Sequence, residues 1–271
     1  MKVAVLADAH GNSTALEAVL LDAQAQGAEK YITVGDMVMK GPSPERCLSL
    51  LEAVEPIIWV IGNHESCYKI EDEPYMVHPK FDMSVIYALY DKQYLSLAQT
   101  HWLANLPLMQ TVTLLNTTFD IFHALPDDPS SGEVFPTGDQ DAFDRMLTNS
   151  ESDVAIYGHV HRQTLRMTRD DRTIINPGTI GLATAHNYRP DNRAQYVMLE
   201  ITSAGIAAIN YRRVEYDVEA ELAIAKKREL PYFDLYARTL RDAQYSFTND
   251  VIEAENIRCG YDKFVYNMFH K

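Results

Sequence analysis

Apolar and polar positions follow two rhythms along this chain. Residues 2–7 read as a buried strand, apolar without a break from Val3 to Ala7 and ending at Asp8. Leu16, Val19, Leu20 and Ala23 then recur at helical spacing, behind a capping-box pattern over Thr14–Glu17 and ahead of Gly27. A second strand is expected over 31–34, a short helix over 44–53 and a third strand over 57–61, running into Gly62. The alternation predicts an α/β core. Residues 66 to 105 read as mostly helical, and strands dominate after that, over 108–115, 118–122, 154–157, 164–167, 173–175, 194–201 and 206–213. One further helix is expected over 140–147.

Beyond Arg213 the rhythm changes for good. Val218, Leu222 and Ala225 share a helical face, Pro231 interrupts, and Leu235, Tyr236, Thr239 and Leu240 resume the pattern. Residues 214–271 are read as a helical appendage packed on a core of residues 1–213, with no Gly/Ser linker between them. Its tyrosines, Tyr216, Tyr232, Tyr236, Tyr245, Tyr261 and Tyr266, suit packing, a dimer surface or a wall for a nucleobase.

Composition narrows the classes. The 271 residues are 46% hydrophobic, enough for a full core, and the formal net charge is −14. That charge repels nucleic acid and anionic lipid, and no apolar run is long enough to span a bilayer. The first apolar stretch is too short for a signal peptide, and Asp8 and His10 follow it at once. Three cysteines without zinc-type spacing, Cys47, Cys67 and Cys259, point to a reducing compartment, the cytoplasm.

The polar residues that interrupt these rhythms gather at predicted strand ends. They are Asp8-Ala9-His10, Gly35-Asp36, Gly62-Asn63-His64-Glu65, His123 and Gly158-His159-Val160-His161. Residues two apart in an extended segment face the same way, so Asp8 with His10, and His159 with His161, can each aim at one spot. Carboxylate, carboxamide and imidazole together suit Mn²⁺, Fe or Zn²⁺. Two such ions against Asp8 and Asp36 leave a positive site, suited to a phosphate ester and to a bridging water made nucleophilic.

One such segment alone means little; the ordered set resembles the calcineurin-like metallophosphoesterase superfamily. Asn176-Pro177-Gly178-Thr179-Ile180-Gly181 also resembles a turn of its small bacterial branch, related to diadenosine tetraphosphate hydrolases and serine/threonine phosphatases. The resemblance implies a four-layer α-β-β-α sandwich and two divalent metal ions per chain, Mn²⁺ first, with Fe or Zn²⁺ as alternatives. It implies that Asp8, His10 and His161 hold the first ion, that Asn63, His123 and His159 hold the second, and that Asp36 bridges them. A metal-bridging hydroxide would be the nucleophile. His64 would be the non-ligand residue that protonates the leaving oxygen or stabilises the transition state.

The chain also departs from the phosphatase pattern. Met39 stands where an aspartate orients the catalytic histidine, Lys40 where an arginine grips phosphate, and Cys67 where another arginine is common. Lys is a point charge and does not reproduce the arginine fork. Lys40 is either a substrate contact or a solvated lysine, and Arg189 and Arg193 flank a loop where a substrate anion could lie. The expected partner is a small phosphorylated compound of nucleotide type, with self-association open. A protein phosphatase, or a non-catalytic scaffold on the same fold, is the alternative. A nuclease is disfavoured by the net charge of −14.

Overall fold

The computed structural model describes residues 1–184 and 190–270. Its first sheet is built on β1 (Lys2–Leu6), flanked by β2 (Lys30–Thr33) and β3 (Ile58–Trp59) on one side, both parallel to the strand next to them. On the other side β9 (Ala194–Thr202) and β10 (Gly205–Val214) complete the order β10-β9-β1-β2-β3 as antiparallel neighbours. The second sheet runs β4-β5-β6-β8-β7, from β4 (Met109–Leu114), β5 (Thr117–Phe122), β6 (Val154–Ile156), β7 (Gln163–Met167) and β8 (Thr173–Pro177). Here β5, β6 and β8 are parallel and the two edge strands antiparallel.

The continuous apolar runs are explained by burial on both faces. Val3, Val5 and Ala7 face the second sheet and meet Ile121, Ile156 and Ile175, while Ala4 and Leu6 face outward. Those outward residues are covered by α1 (Ser13–Ala25) through Leu16, Val19 and Leu20, and by α2 (Pro44–Glu52) through Cys47 and Leu51. On the far side, Ala155 and Tyr157 are covered by Phe143 of α6 (Gln140–Arg145). Helix, sheet, sheet and helix thus form the expected four layers.

A fourth cluster lies at one end of the sandwich. There α4 (Pro79–Asp91) and α5 (Leu97–Leu103) join the C-terminal helices α7 (Val218–Lys227), α8 (Phe233–Asp242), α9 (Asn249–Cys259) and α10 (Tyr261–Phe269). Phe81 and Tyr87 pack there with Tyr232, Tyr236, Ile252 and Val265. No helix among the described residues is long and apolar enough to cross a membrane.

The start of α1 differs from its sequence reading. The N-cap is Asn12, whose Oδ1 accepts the Ala15 amide at 3.0 Å, so Thr14 lies inside the helix. Thr14 instead gives its amide (3.2 Å) and hydroxyl (2.5 Å) to Glu221 of α7, a partner 207 residues away. The third strand is also shorter than the expected 57–61, because the chain leaves the sheet at Val60 to enter the site.

Candidate metal centre

The C-terminal ends of β1, β2, β3, β5 and β6 meet along one edge of the sandwich, the usual place for a site in an α/β sheet. Asp8 and His10 follow β1, Asp36 follows β2, and His123 follows β5. Asn63 and His64 open the one-turn helix α3 (Asn63–Ser66) after β3. His159 and His161 follow β6.

All seven expected ligands come together. The side-chain donors group as Asp8, His10 and His161, and as Asp36, His123 and His159, each set within 4.8 Å of one another. Asn63 joins the second group: its Oδ1 lies 3.2 Å from His123 Nε2 and 2.9 Å from His159 Nδ1. Asp36 lies between the groups, with Oδ2 3.2 Å from His123 Nε2 and 3.8 Å from His10 Nε2. His64 is also close, its Nε2 3.9 Å from the same oxygen, and it forms a third donor set with His10 and Asp36.

The route to this convergence is not the extended alternation the spacing suggested. Asp8, His10, Asp36, His159 and His161 all have left-handed backbone, with φ of 55°, 49°, 54°, 67° and 54°. Non-glycine residues pay ~1–2 kcal/mol each for that conformation, and such strain clusters at functional sites. The turns also split the two histidines of the Gly-His-Val-His segment. His161 Nε2 approaches Asp8 Oδ1 (3.1 Å) and His10 Nε2 (3.1 Å), while His159 turns to Asn63.

Buried hydrogen bonds hold this geometry. His123 Nδ1 lies 2.7 Å from Val34 O and His161 Nδ1 3.1 Å from Leu182 O, contacts that leave each Nε2 lone pair for a metal. Glu65 accepts the amides of Asp36 (2.8 Å), Met37 (2.8 Å) and Gly62 (2.9 Å), tying two of the loops together. A Cβ on Gly62 would fall on Asp36 Oδ1 and the Asp36 amide, so only glycine fits. The Asn176–Gly181 turn clasps the first loop, with Thr179 Oγ1 (2.8 Å) and the Gly181 amide (2.9 Å) both donating to Asp8 O.

The electrostatics call for cations. Burial, with the Lys40 charge, pushes His10 and His64 well below the ordinary imidazole value, and burial with His123 lowers His159 to about 4. These rings are neutral and offer lone pairs. Burial also opposes a charged His123, but the adjoining Asp36 carboxylate outweighs it and raises the ring to about 10, so a metal ion taking Nε2 would have to displace a proton there. Asp8 Oδ1 is buried without a hydrogen-bond partner, with Nε2 atoms of His161, His10 and His123 at 3.1, 3.8 and 4.0 Å. A buried carboxylate oxygen among imidazole nitrogens is costly unless a cation joins it, and the residues fit divalent metal ions.

The centre forms the floor of a cavity of about 420 Å³. Lys40 lines it and is only 6% exposed, so it is not a solvated surface lysine. Lys80, Arg162, Phe135 and Tyr245 also line it; only Tyr245 was among the candidates from sequence, as one of the tyrosines suited to a nucleobase wall. Arg162 adjoins the last histidine motif, its one signal, and its Nη1 donates to Thr184 O (3.0 Å) and Oγ1 (2.8 Å). Arg193 does not line this cavity. Its guanidinium holds Asp191 at 2.9 Å and faces a separate cleft with Arg213 and Tyr216, while Arg189 lies outside the described residues. Cys67 borders the site, and burial raises its thiol to about 11, which disfavours a nucleophilic thiolate.

Residues 1–204 match the calcineurin-like phosphoesterase superfamily domain. The chain belongs to that superfamily and is a metal-dependent phosphoesterase, a hydrolase. The uncharacterized protein MJ0912 of Methanocaldococcus jannaschii is 26% identical over 244 residues, covering 84% of this chain and 93% of that protein. Two crystal structures share the fold. The hypothetical protein PH1004 of Pyrococcus horikoshii OT3 superposes with a TM-score of 0.73 at 20% identity, covering 89% of this chain and 98% of that one. A metallophosphoesterase from Sphaerobacter thermophilus gives 0.68 at 22% identity, covering 90% and 100%.

Proposed function

We propose that the protein hydrolyses nucleotide-type phosphate esters, mononucleotides, cyclic nucleotides or dinucleoside polyphosphates, at a centre of two divalent ions. Asp8, His10 and His161 would hold one ion, Asn63, His123 and His159 the other, with Asp36 shared. Such ions, Mn²⁺ foremost, supply Lewis-acid activation of water and neutralise phosphoryl charge when bound. The observation that carries the reading is the single cavity that joins this donor cluster to three cations and two aromatic faces.

Each wall residue has work to do on such a substrate. Lys40 meets phosphate oxygens as a compact charge, and Lys80 and Arg162 add two cations in a chain of formal net charge −14. Phe135 and Tyr245, 44% and 48% exposed, offer flat surfaces to a base. His64 remains off the metals and serves the leaving oxygen, through an imidazole whose Nδ1 has no partner. Among the described residues no carboxylate accepts from that Nδ1, in keeping with Met39 where related phosphatases carry an aspartate.

The test is a panel of mononucleotides, cyclic nucleotides, dinucleoside polyphosphates and phosphopeptides with supplied Mn²⁺. A nucleotide-type ester should have the highest kcat/KM. Phosphopeptides cleaved far better than every nucleotide would overturn the substrate assignment in favour of a protein phosphatase.

A further inference from the structure

The segment that carries Lys40 is anchored on both sides by residues outside the metal centre. Upstream, the Met39 amide donates to Asp91 Oδ2 at 3.1 Å, and the Tyr68 hydroxyl donates to the same oxygen at 2.6 Å. Asp91 ends α4 and is fully buried. Downstream, Pro42 O accepts from Arg228 Nη1 (2.8 Å) and from the Tyr90 hydroxyl (3.3 Å). Arg228 is itself fixed by Glu45 at 2.8 Å and by the Tyr94 ring, 4.7 Å from its guanidinium carbon.

Between the anchors the backbone takes a shape it would not hold unaided. Met39 and Lys40 are consecutive non-glycine residues with φ of 63° and 73°. Released, this pair would return to ordinary φ and swing the lysine out of the cavity. Held, Lys40 enters the cavity wall with Nζ 5.5 Å from the Phe247 ring centroid. Asp91 lines no part of the cavity, so its influence on a substrate must pass through the loop.

We infer that Asp91, with Tyr68, is a positioning residue that latches the Met39–Lys40 turn and thereby sets the Lys40 ammonium at the substrate's phosphate. The inference rests on the reading of the cavity as a phosphate-ester site. Asp91 and Tyr68 hold the upstream end, and Arg228, from the C-terminal helices, holds the other.

The experiment measures inorganic phosphate affinity by calorimetry on Mn²⁺-loaded protein, with metal content, KM and kcat for p-nitrophenyl phosphate beside it. Asp91→Ala should weaken phosphate binding about tenfold, raise KM in step and leave metal content and kcat within about twofold of wild type. Asp91→Asn, which keeps an oxygen acceptor, should restore affinity. In a Lys40→Met background, Asp91→Ala should add nothing, because the group it positions is gone. Tyr68→Phe removes one donor while keeping the ring, and should give a smaller loss of the same kind, which tests the latch even if Asp91→Ala fails to fold. Full additivity of Asp91→Ala with Lys40→Met, or loss of metal in Asp91→Asn, would overturn the latch. Wild-type protein that binds no phosphate would overturn the functional reading itself. Wild-type protein that binds phosphate, with Tyr68→Phe and Asp91→Ala binding it equally well, would overturn the latch alone.

Discussion

His64 and Asp36 face each other across 3.9 Å but are assigned different work, and substitution separates them. Asp36→Asn removes the negative charge that the proposed pair of ions would share, so metal retention and hydrolysis should fall together. His64→Ala should keep near-normal metal content while lowering kcat by roughly 10²–10⁴-fold, the range for losing a general acid. The loss should shrink on p-nitrophenyl phosphate, whose leaving oxygen needs little protonation. Metal analysis beside kcat for a good and a poor leaving group decides the matter. Loss of metal from His64→Ala as severe as from Asp36→Asn would make His64 a ligand, as its place beside His10 and Asp36 permits. Gly62→Ala is the backbone counterpart. Its methyl group displaces Asp36, so metal content should drop with little change in far-ultraviolet circular dichroism.

At the scale of elements, two buried carboxylates tie helices to the site, and each predicts a measurable stability change. Glu221 joins α7 to the first turn of α1 through Thr14, and accepts the Tyr236 hydroxyl at 3.2 Å. Glu221→Ala leaves the buried Tyr236 hydroxyl and the half-buried Thr14 donors without their partner, so unfolding free energy should fall by about 1–3 kcal/mol in denaturant titration. Asp91 behaves differently, because burial raises its carboxyl to about 8. The titratable groups facing it are Tyr68, Glu45 and Cys47 of α2, Glu65 of α3, and Tyr87 and Tyr90 of its own helix. In the unfolded chain the carboxyl ionises near 4, so its stabilising share is complete below that pH and is lost as pH rises to about 8. Asp91→Asn has no such proton to lose. Relative to wild type it should gain stability between pH 5 and 9, on the order of 2–5 kcal/mol, read from chemical unfolding at each pH. A constant difference across that range would contradict the assignment.

At the scale of the whole molecule, the layers were readable because each strand and helix carries its own period. Val3 to Ala7 and Leu16 to Ala23 announce a strand and a helix without help from the rest of the chain. The ligands were readable for a related reason: they sit where those periods break. The left-handed turns that aim them were not readable, because Asp and His enter positive φ more often than most side chains yet usually lie at negative φ, so their presence at Asp8 and His159 marks no such turn. Nor were Asp91, Glu221 and Arg162, whose roles arise from contacts with segments distant in sequence. Thr14 shows the cost of local reading, because a distant carboxylate claimed the hydroxyl that seemed to cap its own helix. The same long-range ties predict the effect of truncation after Arg213. Loss of the C-terminal helices uncovers Phe81 and Tyr87 on α4 and removes Arg228, Phe247 and Tyr245 from the loop and cavity. Melting temperature should fall and KM should rise, whereas unchanged values for both would show that these helices are independent of the core.

The most direct test of the whole account is a titration of metal-free protein with Mn²⁺, following bound ion and nucleotide-ester hydrolysis in the same samples. Activity should be absent without metal, rise with occupancy and level off near two ions per chain. Asp36→Asn should shift both curves together to higher Mn²⁺ concentration. Saturation of the ligand cluster with no hydrolysis of any nucleotide ester, or hydrolysis at full rate with no metal bound, would contradict the account.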